Sequence, residues 1–302
     1  MSDTISKNDQ GFLDSHFKLK AKGTNVRTEI IAGITTFVAM AYIIFVNPSI
    51  LKEAGIPVEA AVAATIWSAA LCTIAMGLFA NLPVAMAPGM GLNAFFTFYV
   101  CKTVGLNWET ALGAVFVSGL VFFVLTVTKL RQMIIDAVPM SLKSATVVGI
   151  GMFIAFVGLQ SSNLIVESPA TKITLGTFSD PKVDLALLGV LIIGALLALK
   201  IRAAMLIGIV TVTVIGMIFG VTKAPEGISD VVSFSFPGMG ETFLKMDLVG
   251  AFHYGLISII FTFTIVELFD NIGTLIGVTK AAGLVDKDGK IENCDRALMT
   301  DS

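Results

Sequence analysis

The chain has 302 residues, 55% of them hydrophobic and only 14% charged, with a mean hydropathy of +0.88 and a formal net charge of −2. A soluble domain carries about a quarter charged residues, so these charges are too few to cover a water-soluble globule and suit a surface that meets lipid. Cys72, Cys101 and Cys294 are odd in number and widely spaced, which excludes a disulfide framework and a metal-ligand spacing.

In chain order, the first 27 residues are polar, carry five Lys/Arg and show no cleavable signal-peptide pattern. Crossing a bilayer as a helix takes about 20 apolar residues. Eight runs between polar punctuation qualify, near 29–50, 59–80, 84–101, 109–128, 141–160, 183–200, 202–221 and 249–279. Asn47-Pro48 reads as the terminator of the first run, with the lining of a cavity as the alternative. Trp67 and Trp108 read as ordinary membrane aromatics, the methionines as filler and His253 as interfacial. Segments 131–138 and 285–296 read as short amphipathic pieces at the cytoplasmic face, and 231–237 as an extended stretch.

Charge placement tests this count independently. With the N-terminus in the cytoplasm, the inner segments hold 14 Lys/Arg and the outer connectors 6, which together are all 20. One span missed early would erase that bias, so eight crossings with both ends inside is the expected topology.

Two runs carry the functional expectation. In the third, 82–95, Pro83, Pro88, Gly89 and Gly91 crowd the first half, so 83–88 is expected to be extended and a helix to begin near Gly89. Unpaired backbone at membrane depth survives only where protein or a cavity covers it, and broken helices point to a transporter's binding site. A kinked or re-entrant helix without a ligand is the plain alternative. In the eighth run, Glu267 and Asp270 lie within apolar sequence. An ionised group at the bilayer centre costs ~2.5–3.5 kcal/mol. Spaced i, i+3, the two acids share one helix face, which Asn271 and Thr274 extend, so that face is expected to meet a polar cavity. Capping of a neighbouring broken helix, or a place near the inner interface, is the structural alternative.

The stretches Ala87-Pro-Gly-Met-Gly-Leu-Asn-Ala-Phe-Phe96 and Glu267-Leu-Phe-Asp-Asn-Ile-Gly-Thr-Leu-Ile-Gly-Val278 resemble the AzgA-like purine permeases of the nucleobase–cation symporter family, relatives of xanthine and uracil permeases. Arg27-Thr-Glu-Ile-Ile-Ala-Gly, Phe45-Val-Asn-Pro48 and Gly77-Leu-Phe-Ala-Asn-Leu-Pro83 extend the resemblance, which runs from about residue 12 to the end. It implies an all-α polytopic fold of fourteen spans in two inverted seven-span repeats, split into core and gate elements. Here that is the first repeat, with its broken third span, plus the first span of the second repeat. Related chains continue into six further spans, so this one is expected to be C-terminally cut. The implied organisation is a cytoplasmic tail over 1–28, a membrane domain over 29–279 with core and gate elements interleaved, and a cytoplasmic amphipathic segment over 280–302.

By this resemblance the substrate-binding residues are Asn93, Ala94, Phe95, Glu267 and Asp270. Asn93 presents its amide, Phe95 or Phe96 a stacking face and Glu267 an acceptor for base N–H groups. Glu267 and Asp270 are also the proton-coupling candidates, because a carboxyl taken out of water favours its neutral form. Neither a cofactor nor a metal is implied; the proton gradient drives transport. The implied partners are a purine nucleobase, protons and the bilayer, with a homodimer left open and no nucleic acid. The implied location is the bacterial cytoplasmic (inner) membrane, multi-pass. Carboxylates accept well from guanine and hypoxanthine, which favours those cargoes over adenine. The alternatives are an anion transporter of the same architecture, a passive channel and an intramembrane hydrolase. An anion site would use helix N-termini and a basic residue rather than two acids, and an aspartyl hydrolase would need its acids on two helices.

Overall fold

The computed structural model describes residues 16–20, 23–128, 130–201, 203–225, 227, 239–253, 257–281 and 294–301. It is mostly helical, and every one of the eight predicted runs contains a helix. The first is a bent pair, α1 (Val26–Met40) and α2 (Ile43–Lys52), and the second is α3 (Val58–Ala75), which widens into a π-turn over Met76–Ala80. The third is irregular over 81–89, then helical as α4 (Met90–Ala94) and as a π-segment over Phe95–Thr103. Then come α5 (Trp108–Val127), α6 (Leu130–Ala137), α7 (Met140–Ser161), α8 (Pro181–Ala198) and α9 (Ala204–Ile218). The short α10 (Met239–Thr242) and α11 (Leu248–His253) precede the long α12 (Ile257–Ala281), and α13 (Cys294–Asp301) closes the described chain.

Local chemistry accounts for the helix starts. Asn25 caps α1 by accepting from the Thr28 N–H at 3.0 Å. Asp180 caps α8 by accepting from the Lys182 N–H at 2.9 Å, with Pro181 in the first turn, where no N–H is missed. Among the described residues, four helical stretches are long and apolar enough to cross a membrane: Val26–Lys52, Val58–Ala80, Trp108–Val127 and Pro181–Ala198. Large apolar side chains stand exposed along them and along α9, among them Ile34, Phe37, Leu191 and Ile218. That much exposed hydrocarbon suits a lipid-facing surface and no aqueous one.

Several expectations are corrected. Asn47-Pro48 does not end the first run, because α2 continues to Lys52 with Pro48 inside it and buried. The break falls earlier, at Ala41–Tyr42, and the Ser49 hydroxyl bonds the Phe45 carbonyl at 2.7 Å. The connector after α7 holds an antiparallel hairpin where no strand is expected. Its strands are β1 (Ile165–Ser168) and β2 (Lys172–Leu175), paired from Ile165↔Leu175 to Ser168↔Lys172. Both π-segments were also unforeseen. Segment 231–237, most of 285–296 and the side chains of His253 and Thr274 lie outside what the structure describes.

Close packing sets the frame around the site. Helices α5 and α12 meet through a buried hydroxyl pair, Ser118 and Thr264, 3.0 Å apart. Gly113 of α5 lets the backbone before α11 approach: a Cβ there would lie 2.9 Å from the Asp247 carbonyl carbon. Gly208 likewise admits Ile193 of α8 against α9. Small residues at helix contacts are the usual way helices approach closely in lipid. The core itself gathers Ile56, Ala61, Phe96, Val100, Ala111 and Phe263.

Candidate functional site

The irregular segment 81–89 follows from its residues. Asn81 takes a left-handed conformation, φ 56°, and ends the π-turn. Pro83 and Pro88 withhold donors, and Gly89 is extended immediately before α4. Such backbone needs partners inside a membrane protein. Thr73 of α3 supplies them, its hydroxyl accepting from the Met86 N–H at 2.9 Å and lying 3.4 Å from the Met86 carbonyl. At the other end the Asn81 amide donates to the Phe17 carbonyl at 2.9 Å. No motif or spacing in the sequence marks Thr73.

Beside this segment lies a cavity of about 530 Å³. One wall is the segment 84–92, a second is α3 with Ser68 and Cys72, and the third is the polar stripe of α12 with Glu267, Asp270 and Asn271. The i, i+3, i+4 spacing does what it should on a helix: all three α12 residues line one cavity. Asp270 meets the start of α4. A Cβ built on Gly89 would sit 3.1 Å from its Oδ2, so the carboxylate lies against the backbone where the α4 helix starts. Carboxylates are favoured at a helix's electropositive N-terminus.

The sequence-derived residues divide into two groups. Glu267 and Asp270 come together on the cavity wall. Asn93, Ala94 and Phe95 lie just beyond it, the described lining of this segment ending at Leu92. Ala94 is buried. Phe95 stacks on Tyr99 and meets Phe263 edge-on, each at 5.1 Å between ring centroids, so its faces are engaged in the core. Asn93 donates its side-chain amide to Asn47 Oδ1, and Asn47 in turn donates to Thr65 at 2.8 Å. The apolar wall of the cavity comes instead from Met76, Met86, Met90 and Ile154. The methionines read as filler thus have a place at the site. Met86 and Met90 flank Pro88-Gly89, and that adjacency was the available signal.

A cavity of this size holds one small heterocycle. It offers thioether surface to a flat face and carboxylates to a donor-bearing edge, beside backbone freed by two prolines. The xanthine/uracil permease model, described as "Permease family", matches residues 27–302. The chain belongs to this family. Family members are permeases, which sets aside the hydrolase alternative. Among curated relatives, an adenine permease of Escherichia coli K12, AdeP, is 43% identical over 305 residues, covering 99% of this chain and 66% of its own length. Two guanine/hypoxanthine permeases of Bacillus subtilis 168 follow. PbuG is 40% identical over 96% of this chain and 67% of its own length, and PbuO is 39% identical over 95% and 66%. The chain therefore spans about two thirds of the length of the relatives it matches.

Proposed function

We propose that this membrane permease carries a purine nucleobase into the cell together with protons. The observation that carries the proposal is the cavity where Glu267 and Asp270 face an unwound, proline-held backbone segment. The relatives' names support the cargo class, because they comprise adenine permeases and guanine/hypoxanthine permeases. In this reading the base lies with its faces against Met86 and Met90 and its N–H edge toward Glu267, while Asp270 shapes the start of α4 and shares the proton with Glu267. Asn93, one turn along the same helix, reads a further edge of the ring. Uptake loads base and proton from outside and releases both inside. The 14-to-6 bias of Lys/Arg supports a cytoplasmic N-terminus in the inner membrane. The inverted-repeat arrangement belongs to the same proposal: α1 to α9 supply the first repeat, and α12 opens the second.

Within the purines, the carboxylates favour guanine and hypoxanthine, whose N1–H faces an acceptor. Adenine is the second reading, favoured by the 43% identity to the E. coli adenine permeases. Radiolabelled purine uptake, with and without a protonophore, tests the whole in a purine-transport-deficient bacterium expressing the complete reading frame that contains this chain. Saturable, protonophore-sensitive guanine or hypoxanthine uptake is expected. Preferential competition by adenine would replace the oxopurine assignment, and absence of any purine uptake from well-expressed protein would overturn the function.

A further inference from the structure

A threonine inside an α-helix can satisfy its hydroxyl on the carbonyl one turn back. Thr35 does so on Ile31 and Thr213 on Ile209, both at 2.7 Å, and Thr264 on Ile260 at 2.9 Å. Thr97 does not. It is 0% exposed, and its Oγ1 has no hydrogen-bond partner among the described residues. The cause is register. Thr97 lies in the π-segment Phe95–Thr103, where the wider turn bonds each N–H to the carbonyl five residues back. That widening takes the Asn93 carbonyl, four back, away from the threonine side chain. Thr103 of the same segment compensates by reaching the Phe98 carbonyl at 2.8 Å, but Thr97 makes no such bond to Leu92. Were the turn around Thr97 α-helical, its hydroxyl would gain the Asn93 carbonyl.

The next residue shows what this register controls. Phe98 meets Phe153 of α7 edge-on, with 6.5 Å between ring centroids, and Ile154 beside Phe153 lines the cavity. Phe98 itself lies beyond Leu92, where the lining of the third run ends. The slack is bounded on both sides. Asn93 is tied to Asn47, and Val100 is buried in the core. Between these fixed points, a change of the turn from π to α steps Phe98 round the helix axis by up to about 100°, one residue's step on an α-helix. That step takes its ring away from Phe153.

We infer that Phe98 and Phe153 form an aromatic gate on the outer side of the cavity, closed by the π register at Thr97 and opened by the α register. The closed form keeps the ring contact and leaves the hydroxyl unmet. The open form gives up the ring contact and gains the hydroxyl bond to the Asn93 carbonyl, so the two forms are balanced closely enough to exchange. The inference rests on the reading of the cavity as a carrier's site but on no particular cargo.

The test uses Cys72, which lines the cavity. The protein is expressed from its complete reading frame with Cys72 as its one cysteine, and a membrane-impermeant maleimide is applied to intact cells. The labelling rate then reports how often the outer side is open, with no purine present. Thr97→Val keeps the shape and removes the hydroxyl that rewards the open form. It is expected to slow labelling about fivefold, the worth of one hydrogen bond, without loss of thermal stability. Thr97→Ser, which retains the hydroxyl, should label within about twofold of the parent. Phe98→Ala, which removes the gate, should label faster than the parent, and Thr97→Val should add nothing to it. Unchanged labelling in Thr97→Val, or a Thr97→Ser variant as slow as Thr97→Val, would overturn the inference. So would Phe98→Ala labelling no faster than the parent, which decides the matter even if Thr97→Val fails to fold. Lower thermal stability in Thr97→Val would show that the hydroxyl has a partner and would overturn it too. Absence of purine uptake by the parent would instead remove the transport reading, and the labelling rates would still judge the gate.

Discussion

Asp270 and Glu267 share a helix face but stand in different settings, and substitutions should separate them. Asp270 lies against Gly89 at the start of α4, where even a methyl group would come within 3.1 Å of its carboxylate oxygen. Gly89→Ala is therefore expected to push carboxylate and helix apart, lowering uptake several-fold at unchanged protein level, as immunoblot and initial-rate uptake together would show. Glu267, on the cavity wall one turn earlier, is the acceptor for base N–H groups and a proton carrier in the proposed cycle. Glu267→Gln keeps the shape and removes the ionisable group. Proton-driven accumulation should be abolished, and wild-type accumulation in this variant would remove Glu267 from the mechanism. Phe95 differs from both, since its ring is held between Tyr99 and Phe263. Phe95→Leu should act through packing, reducing membrane-inserted protein more than substrate affinity. Met90→Ala, which strips the cavity wall, should do the reverse.

At the scale of elements, the broken third run works because its neighbours accept what its backbone cannot satisfy. Thr73 takes the Met86 N–H, and Asn81 ties the end of the π-turn to Phe17. Thr73→Val preserves shape and removes that partner. Loss of the partner of this part-buried N–H would cost about 1 kcal/mol, read as lower thermal stability in detergent, with purine protection of Cys72 from a water-soluble maleimide weakened in parallel because Met86 belongs to the cavity wall. The Ser118–Thr264 pair between α5 and α12 behaves differently. Hydrogen bonds between helices in lipid average about 0.6 kcal/mol, so Ser118→Ala should leave folding nearly intact. What fixes α12 beside α5 is packing, with Phe122, Leu268 and Phe269 buried together. Element identity was largely legible in advance. Proline and glycine spacing announced the break over 81–89, and apolar run length announced the helices. The two π-segments and the β1–β2 hairpin were not legible. A π-turn differs from an α-turn by one residue of register and leaves no periodic mark, and four-residue strands beside a proline turn are too short to separate from a connector.

For the molecule as a whole, composition and charge placement predict a topology that can be measured directly. The β1–β2 turn at 169–171 should face outward, so a cysteine there is expected to react with an impermeant maleimide in intact cells, whereas one placed in the first 27 residues should react only after lysis. Reversed labelling would invert the topology. The amino-acid sequence by itself determined that the chain lives in lipid, where its helices run, that its third run is broken, and that two acids share one face of the eighth. All of these are properties of composition and of spacing along a single segment. Only the tertiary structure decided what those features meet. It placed the acids opposite the proline segment, put methionines rather than phenylalanines on the cavity wall, and joined Asn47, Thr65 and Asn93 into one directed chain. The physical reason is that hydrogen-bond direction and side-chain contact between residues 18 and 46 positions apart depend on how helices pack. Periodicity within one helix carries no information about which neighbour its face will find.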